Sequence, residues 1–255
     1  MKGVILMRDK KNGIFFNLLQ ENFVALVDRF DLKDAEVKVT ATPLSPEDAI
    51  GATKRKDYVI LKGKERLLEA SVMGSKGQAF TSSQGDFSGT LNDVLNMKLE
   101  NDYERAVYVS TLNAVVRYTD AAQKTIHCRN EGPELCALKV AEYFKKNFGT
   151  PNILMAGYQP TLAEALNEAA FSITVTDLDP NNVGKIINGV NIRNANDAIE
   201  ECISSCDVIF ATGSAICNGT IDKLYDSGKP LVLFGTTGAG AAALLGIPRF
   251  CPEAS

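Results

Sequence analysis

Between Phe15 and Phe30, apolar residues recur at three- and four-residue intervals through Leu18, Leu19, Phe23, Leu26 and Val27, a spacing that predicts an amphipathic helix. Residues 37–41 switch to a period of two, as a half-buried strand does. Residues 58–61 and 66–72 read as strands around Lys62-Gly63-Lys64-Glu65, which reads as a hairpin turn, and a further strand follows over 78–81. A helix followed by antiparallel strands predicts an α+β module.

The rhythm changes near residues 90–102. Residues 104–118 form a helical stretch with Ala106, Val107, Val109, Leu112, Val115 and Val116 on its apolar side. Gly132-Pro133 opens another helix, with Pro133 at its first position and Gly149 past its end, which puts Cys136 in the first turn. Short apolar runs follow at 152–156, 171–176, 208–211 and 231–234, the pattern of parallel strands buried on both faces. Helical segments at 161–170, 196–205 and 220–227 separate them, and Thr161 with Glu164 reads as a capping box. The alternation predicts a Rossmann-like, doubly wound parallel sheet over 96–255, preceded by the smaller α+β module over 1–95.

Composition narrows the function classes. The 27 basic and 31 acidic residues leave a formal charge of −4, which argues against a nucleic-acid surface. The longest uncharged run, 230–248, contains four glycines and is bracketed by prolines, so it reads as strand, turn and short helix rather than a membrane span. The first residues carry only a four-residue apolar run, too short for a secretory signal. The expected location is therefore cytoplasmic, with the cysteines reduced.

Ligands of open parallel sheets bind beyond the carboxyl ends of the strands. Those ends hold Gly157-Tyr158-Gln159-Pro160, then Asp177, then Thr212-Gly213-Ser214 with Asn218 and Thr220, then Gly235-Thr236-Thr237. Asp177, twenty positions after Gly157, suits either a ribose hydroxyl or a loop cap. The loop 235–240 reads either as an anion cradle or as a tight turn. G-x-G-x-x-G is absent from the first loop, which removes the main support for a dinucleotide.

The chain has one histidine and six cysteines, and His127 stands next to the first of them, Cys128. His127, Cys128, Glu131 and Cys136 form a donor set suited to a divalent transition metal, with His127 or Cys128 as the group that moves a proton. The competing reading is a polar loop histidine beside buried thiols. Cys202, Cys206 and Cys217 read as small core residues.

Four stretches resemble the heavy-metal chelation family, in which an enolase N-terminal-like module precedes a Rossmann-like domain. The most specific is 206–224, where Thr212-Gly213 and Asn218-Gly219-Thr220 follow a strand as T-G-x-x-x-x-N-G-T. Residues 104–114, the 157–160 turn and Gly235-Thr236-Thr237 extend the likeness, with departures at Ser214-Ala215 and Thr236-Thr237. The resemblance implies a site between the two modules. It also implies metal handling, or condensation or hydrolysis of pterin-, flavin- or siderophore-like molecules. It adds Asn113 to the site and repeats Gly157, Asp177, Thr212, Gly213, Asn218, Thr220, Gly235 and Thr236. The expected partner is a small molecule or metal chelate, with no nucleic acid or membrane, in a chain able to form a homo-oligomer. The alternatives are an S-adenosylmethionine-dependent methyltransferase and a non-catalytic binding module; no G-x-S-x-G elbow supports a hydrolase triad.

Overall fold

The computed structural model of the protein describes residues 13–42, 51, 55, 58 and 65–255. Helix α1 (Ile14–Arg29) buries Phe15, Phe16, Leu19, Phe23, Leu26 and Val27, the face its spacing predicts. Strand β1 (Glu36–Thr42) pairs antiparallel with β2 (Arg66–Val72) and with β4 (Phe87–Thr90), and β2 pairs antiparallel with β3 (Ser75–Thr81). Met73 and Gly74 join β2 to β3 with φ of 49° and 78°, both positive, as a two-residue type I′ turn requires. The sheet order β3-β2-β1-β4 occupies both edges of β2. The strand expected at 58–61, with the turn after it, lies outside the described residues apart from Tyr58 and Glu65.

Thr90 and Asp93 form a reciprocal capping box that starts α2 (Leu91–Leu95), an element the hydrophobic pattern does not signal. Asn101 then caps α3 (Asp102–Tyr118), its side-chain oxygen accepting from Glu104 N at 2.9 Å. From Ala106 to Val116 every residue of α3 is buried. One side of the helix lies on β3, so close that a Cβ on Gly77 would stand 2.1 Å from Ala114 N and 2.5 Å from Ser110 O. Only glycine permits that approach.

The second half carries α4 (Gly132–Phe148), β5 (Ile153–Ala156), α5 (Pro160–Glu168), β6 (Ile173–Asp177), β7 (Ile186–Ile187), β8 (Val190–Asn194) and α6 (Ala195–Ser205). It continues through β9 (Val208–Thr212), α7 (Ser214–Cys217), α8 (Ile221–Asp226), β10 (Leu231–Phe234), α9 (Ala239–Leu245) and β11 (Arg249–Phe250). The sheet runs β11-β10-β9-β5-β6-β8-β7, all parallel except the β7–β8 pair. Numbered in chain order, its six parallel strands read 3-2-1-4-5-6 from β8, the doubly wound order, with the reversal between β5 and β9.

Alternate strand residues feed two cores. Ile153, Met155, Val208, Phe210 and Val232 pack on Val140 and Phe144 of α4 and Leu162 and Leu166 of α5. Leu154, Ala156, Ile209, Ala211 and Leu233 face the other way, into a cluster shared with α3, α1 and the four-stranded sheet. Phe15 of α1 meets Tyr225 of α8 edge to face at 5.4 Å. The antiparallel part and the parallel sheet thus share one core, with α3 between them. Cys202, Cys206 and Cys217 lie in it, 1%, 5% and 1% exposed.

Two local expectations are corrected. Helix α5 starts two residues earlier than the Thr161–Glu164 box requires. Gln159 is its N-cap, accepting from Leu162 N at 2.6 Å, while Thr161 donates to Pro133 O and Glu164 pairs with Arg55. Pro160, which has no N–H to satisfy, takes the first helical position. Helix α4 likewise begins at Gly132, so Cys136 sits one position deeper than a Pro133 start implies. Among the described residues no helix is long and apolar enough to cross a membrane.

Candidate functional site

A cavity of about 780 Å³ opens at the carboxyl ends of β5, β6, β9 and β10, astride the strand reversal. Phe80, Thr81 and Ser82 at the end of β3, with Tyr58 and Glu65, wall its other side. Both parts of the chain therefore build it.

Each strand-end loop is shaped by identifiable bonds. Gly157 turns with φ of 93° and donates its N–H to Thr176 O at 2.8 Å. A side chain there would strike Thr212 Cγ2 at 2.5 Å. Asp177 accepts from Tyr158 N at 3.1 Å, Asn182 Nδ2 at 3.3 Å and Asp179 N at 2.8 Å, so it ties the first loop to the second. Gly213 packs against the last loop, where a Cβ would come within 2.4 Å of Gly238 N. Asn218 Oδ1 accepts from Thr220 N at 3.0 Å and Thr220 Oγ1 at 2.7 Å, closing the turn before α8. Gly235 turns with φ of 86°, and Thr237 Oγ1 accepts from Phe80 N at 3.0 Å, joining this loop to β3.

Gly157, Tyr158, Gln159, Pro160 and Asp177 line the cavity, as do Thr212, Gly213, Ser214, Asn218 and Thr220. So do Gly235, Thr236, Thr237, His127, Cys128 and Cys136. Asn113 and Glu131 are not among the lining residues. Asn113 is 0% exposed; its amide nitrogen donates to Gln78 O (2.8 Å), Thr237 O (3.1 Å) and Thr236 O (3.3 Å), and its oxygen accepts from Gly240 N (2.7 Å). It is a positioning residue that clamps the Gly235–Gly240 loop to β3. The same bonds argue against an anion cradle. Gly240 N is spent on Asn113, Ala239 N on Thr236 O, and α9 has only seven residues.

The expected metal donors are not assembled as a site. Glu131 is exposed at the start of α4, and His127 sets its ring edge-on to Phe80 at 5.2 Å while its backbone N donates to Gln78 Oε1 at 2.8 Å. Among the described residues no three His, Cys, Asp or Glu side chains converge on a point able to hold an ion. These residues do not fit a resident metal. The Cys128 thiol instead donates to Cys136, and that hydrogen bond holds Cys136 below the ordinary thiol range and Cys128 above it.

Sequence reasoning misses several lining residues, Thr176, Cys251 and Glu65 among them. Cys251 stands near Cys128 and Cys136, its thiol pushed up to about 11 by burial. Glu65 has its carboxyl raised to about 7, chiefly by loss of water and then by Asp177 and Asp179. Neither has a local signal, because long-range topology brings both to the cavity. Thr176 and Thr236, 1% and 2% exposed, line the cavity with buried hydroxyls that have no hydrogen-bond partner among the described residues.

A doubly wound sheet whose strand-end loops and antiparallel partner wall one cavity defines a two-part α/β protein. Residues 141–246 match the model of the DUF364 family, described as "Putative heavy-metal chelation", which is the family the motifs resemble. A crystal structure of a DUF364-family protein of unknown function from Pyrococcus horikoshii is similar over 88% of this chain and 80% of that one, at 14% identity and a TM-score of 0.53. Another, from Desulfitobacterium hafniense, covers 89% and 83% at 13% identity and a TM-score of 0.46. The likeness to the first is one of fold. None of the curated proteins matches the chain.

Proposed function

We propose that the cavity is a ligand site and that the protein binds a small organic molecule, or the metal chelate of one, between its two parts. The observation that carries this reading is the pair of hydroxyls on Thr176 and Thr236, buried and without a partner among the described residues, in the wall of a cavity of about 780 Å³. A buried polar group without a partner costs about 1–3 kcal/mol, and a bound ligand recovers that cost. The volume falls within the range of about 300–1,000 Å³ usual for small-molecule sites. A chelate brings its own donors, which suits a wall where no three described His, Cys, Asp or Glu residues converge. The family description points the same way.

The adenosyl reading gains less, since Asp177 already accepts three hydrogen bonds from its own loops. The test is a thermal-shift and calorimetric screen of pterins, flavins, S-adenosylmethionine, and catechol or hydroxamate chelators with and without iron. At a hundredfold excess over Kd, a ligand stabilises by about 2.7 kcal/mol, a rise of about 5 °C or more in a chain of this size. Ser214→Tyr, which fills the cavity from α7, abolishes the rise. A ligand that shifts wild type and Ser214→Tyr equally, or a screen with no binder, overturns the reading.

A further inference from the structure

We propose that Cys128 and Cys136 form a redox-active dithiol in the cavity wall, which a small-molecule disulfide oxidises to an intramolecular disulfide. The inference goes beyond the ligand reading and does not depend on it.

Cys136 lies one helical turn after Gly132 on the same face of α4, the face onto which Cys128 folds. Both residues line the cavity, so a solute that enters reaches them. Closure needs only that the sulfurs draw in to a bond of about 2.05 Å. The two residues have unequal freedom to make that move. Cys136 is fixed in α4, 8% exposed, whereas Cys128 lies in the non-helical segment between α3 and α4 and is half-buried. Cys128 therefore makes the adjustment. It is already folded onto the start of α4, where a Cβ on Gly132 would sit 2.7 Å from Cys128 Cβ and 3.0 Å from its Sγ. The other three cysteines lie in the core, and one more thiol, Cys251, shares the wall.

The chemistry balances as thiol–disulfide exchange. The Cys136 sulfur attacks one sulfur of oxidised glutathione, breaking its S–S bond, and one glutathione leaves as thiol with the Cys136 proton. The Cys128 sulfur then attacks Cys136 Sγ of the mixed disulfide, releasing the second glutathione with the Cys128 proton. The protein dithiol is oxidised by two electrons and one glutathione disulfide is reduced to two thiols. The bridge replaces two S–H groups in the cavity wall by an apolar linkage, so redox state changes what that wall offers a ligand.

Incubation of the full chain with glutathione disulfide, followed by intact-mass and peptide mass spectrometry, tests this. The expected product has lost two hydrogen atoms, carries no glutathione and yields a 128–136 crosslinked peptide. Cys251→Ser, outside the pair, gives the same product. Cys128→Ser accumulates the mixed disulfide at Cys136 instead. A crosslink that joins Cys251 to either partner, glutathione retained on the wild-type chain, or no reaction overturns the proposal.

Discussion

Replacing Asn113 by alanine tests how the last ligand loop is held. The mutation removes one acceptor and one two-proton donor from a site that is 0% exposed. Gly240 N–H loses its partner at 2.7 Å, and Gln78 O and Thr237 O lose donors at 2.8 and 3.1 Å. Thr236 O, at 3.3 Å, keeps its bond from Ala239 N. One orphaned buried donor costs about 1–3 kcal/mol, and each further net bond lost adds about 0.5–1.5 kcal/mol, less where the bonds share a partner. The expected loss is about 3 kcal/mol, a large share of the roughly 5–15 kcal/mol that stabilises a typical domain. Urea denaturation reads it as a lower midpoint at unchanged slope. Amide exchange localises it, with Gly240 N–H losing protection first. Asn113→Asp separates the donor from the acceptor role, because a carboxylate still accepts from Gly240 but meets three carbonyl oxygens with no proton to offer. Aspartate is therefore worse than alanine at neutral pH. A loss below about 1 kcal/mol with Gly240 still protected, or aspartate tolerated better than alanine, refutes the clamp.

Glu65 gives a pH signature. Its carboxyl is raised to about 7 in the folded chain from 4.5, so between these values the folded state holds a proton the unfolded state has lost. Stability falls as pH rises through that window, by at most about 1.4 kcal/mol per unit from this group, and Glu65→Gln flattens the slope. Urea midpoints at pH 5.5 and 8 check this; an equal slope in both proteins contradicts it. Tyr108 is fully buried, its ring edge-on to Phe23 at 5.3 Å and its hydroxyl without a partner among the described residues. Tyr108→Phe removes that unpaired group and is expected to raise stability by about 1 kcal/mol. Calorimetry that finds the phenylalanine form less stable counts against it.

Sequence patterning reached the elements whose burial is simple. Helix α1 buries one face, and β5, β9 and β10 bury both, so period and apolar run each find their targets. Strands β7 and β11 have two residues each, and β8, Val190–Asn194, is half polar, too weak a signal against flanking turns. The α5 cap was misplaced because a Thr–Glu spacing satisfies the capping rule on paper, while the proline beside it sets the true start. The four loops of the candidate site were legible because an alternating β/α pattern places strand ends together. Cys251 and Glu65 were not, since one follows the last strand and the other stands just before β2 of the antiparallel part. Asn113 shows a different limit: the motif locates an important side chain, but only its four partners reveal that it holds a loop rather than faces the cavity.

Helix α3 has no solvent-facing position between Ala106 and Val116, since one sheet covers one side and the core of the other sheet covers the rest. Neither sheet can lose its strands without uncovering that helix for both. Unfolding is therefore expected to be cooperative across the junction near residue 95, with one heat-absorption peak rather than two, and a ligand seated in the cavity would raise that peak as a whole.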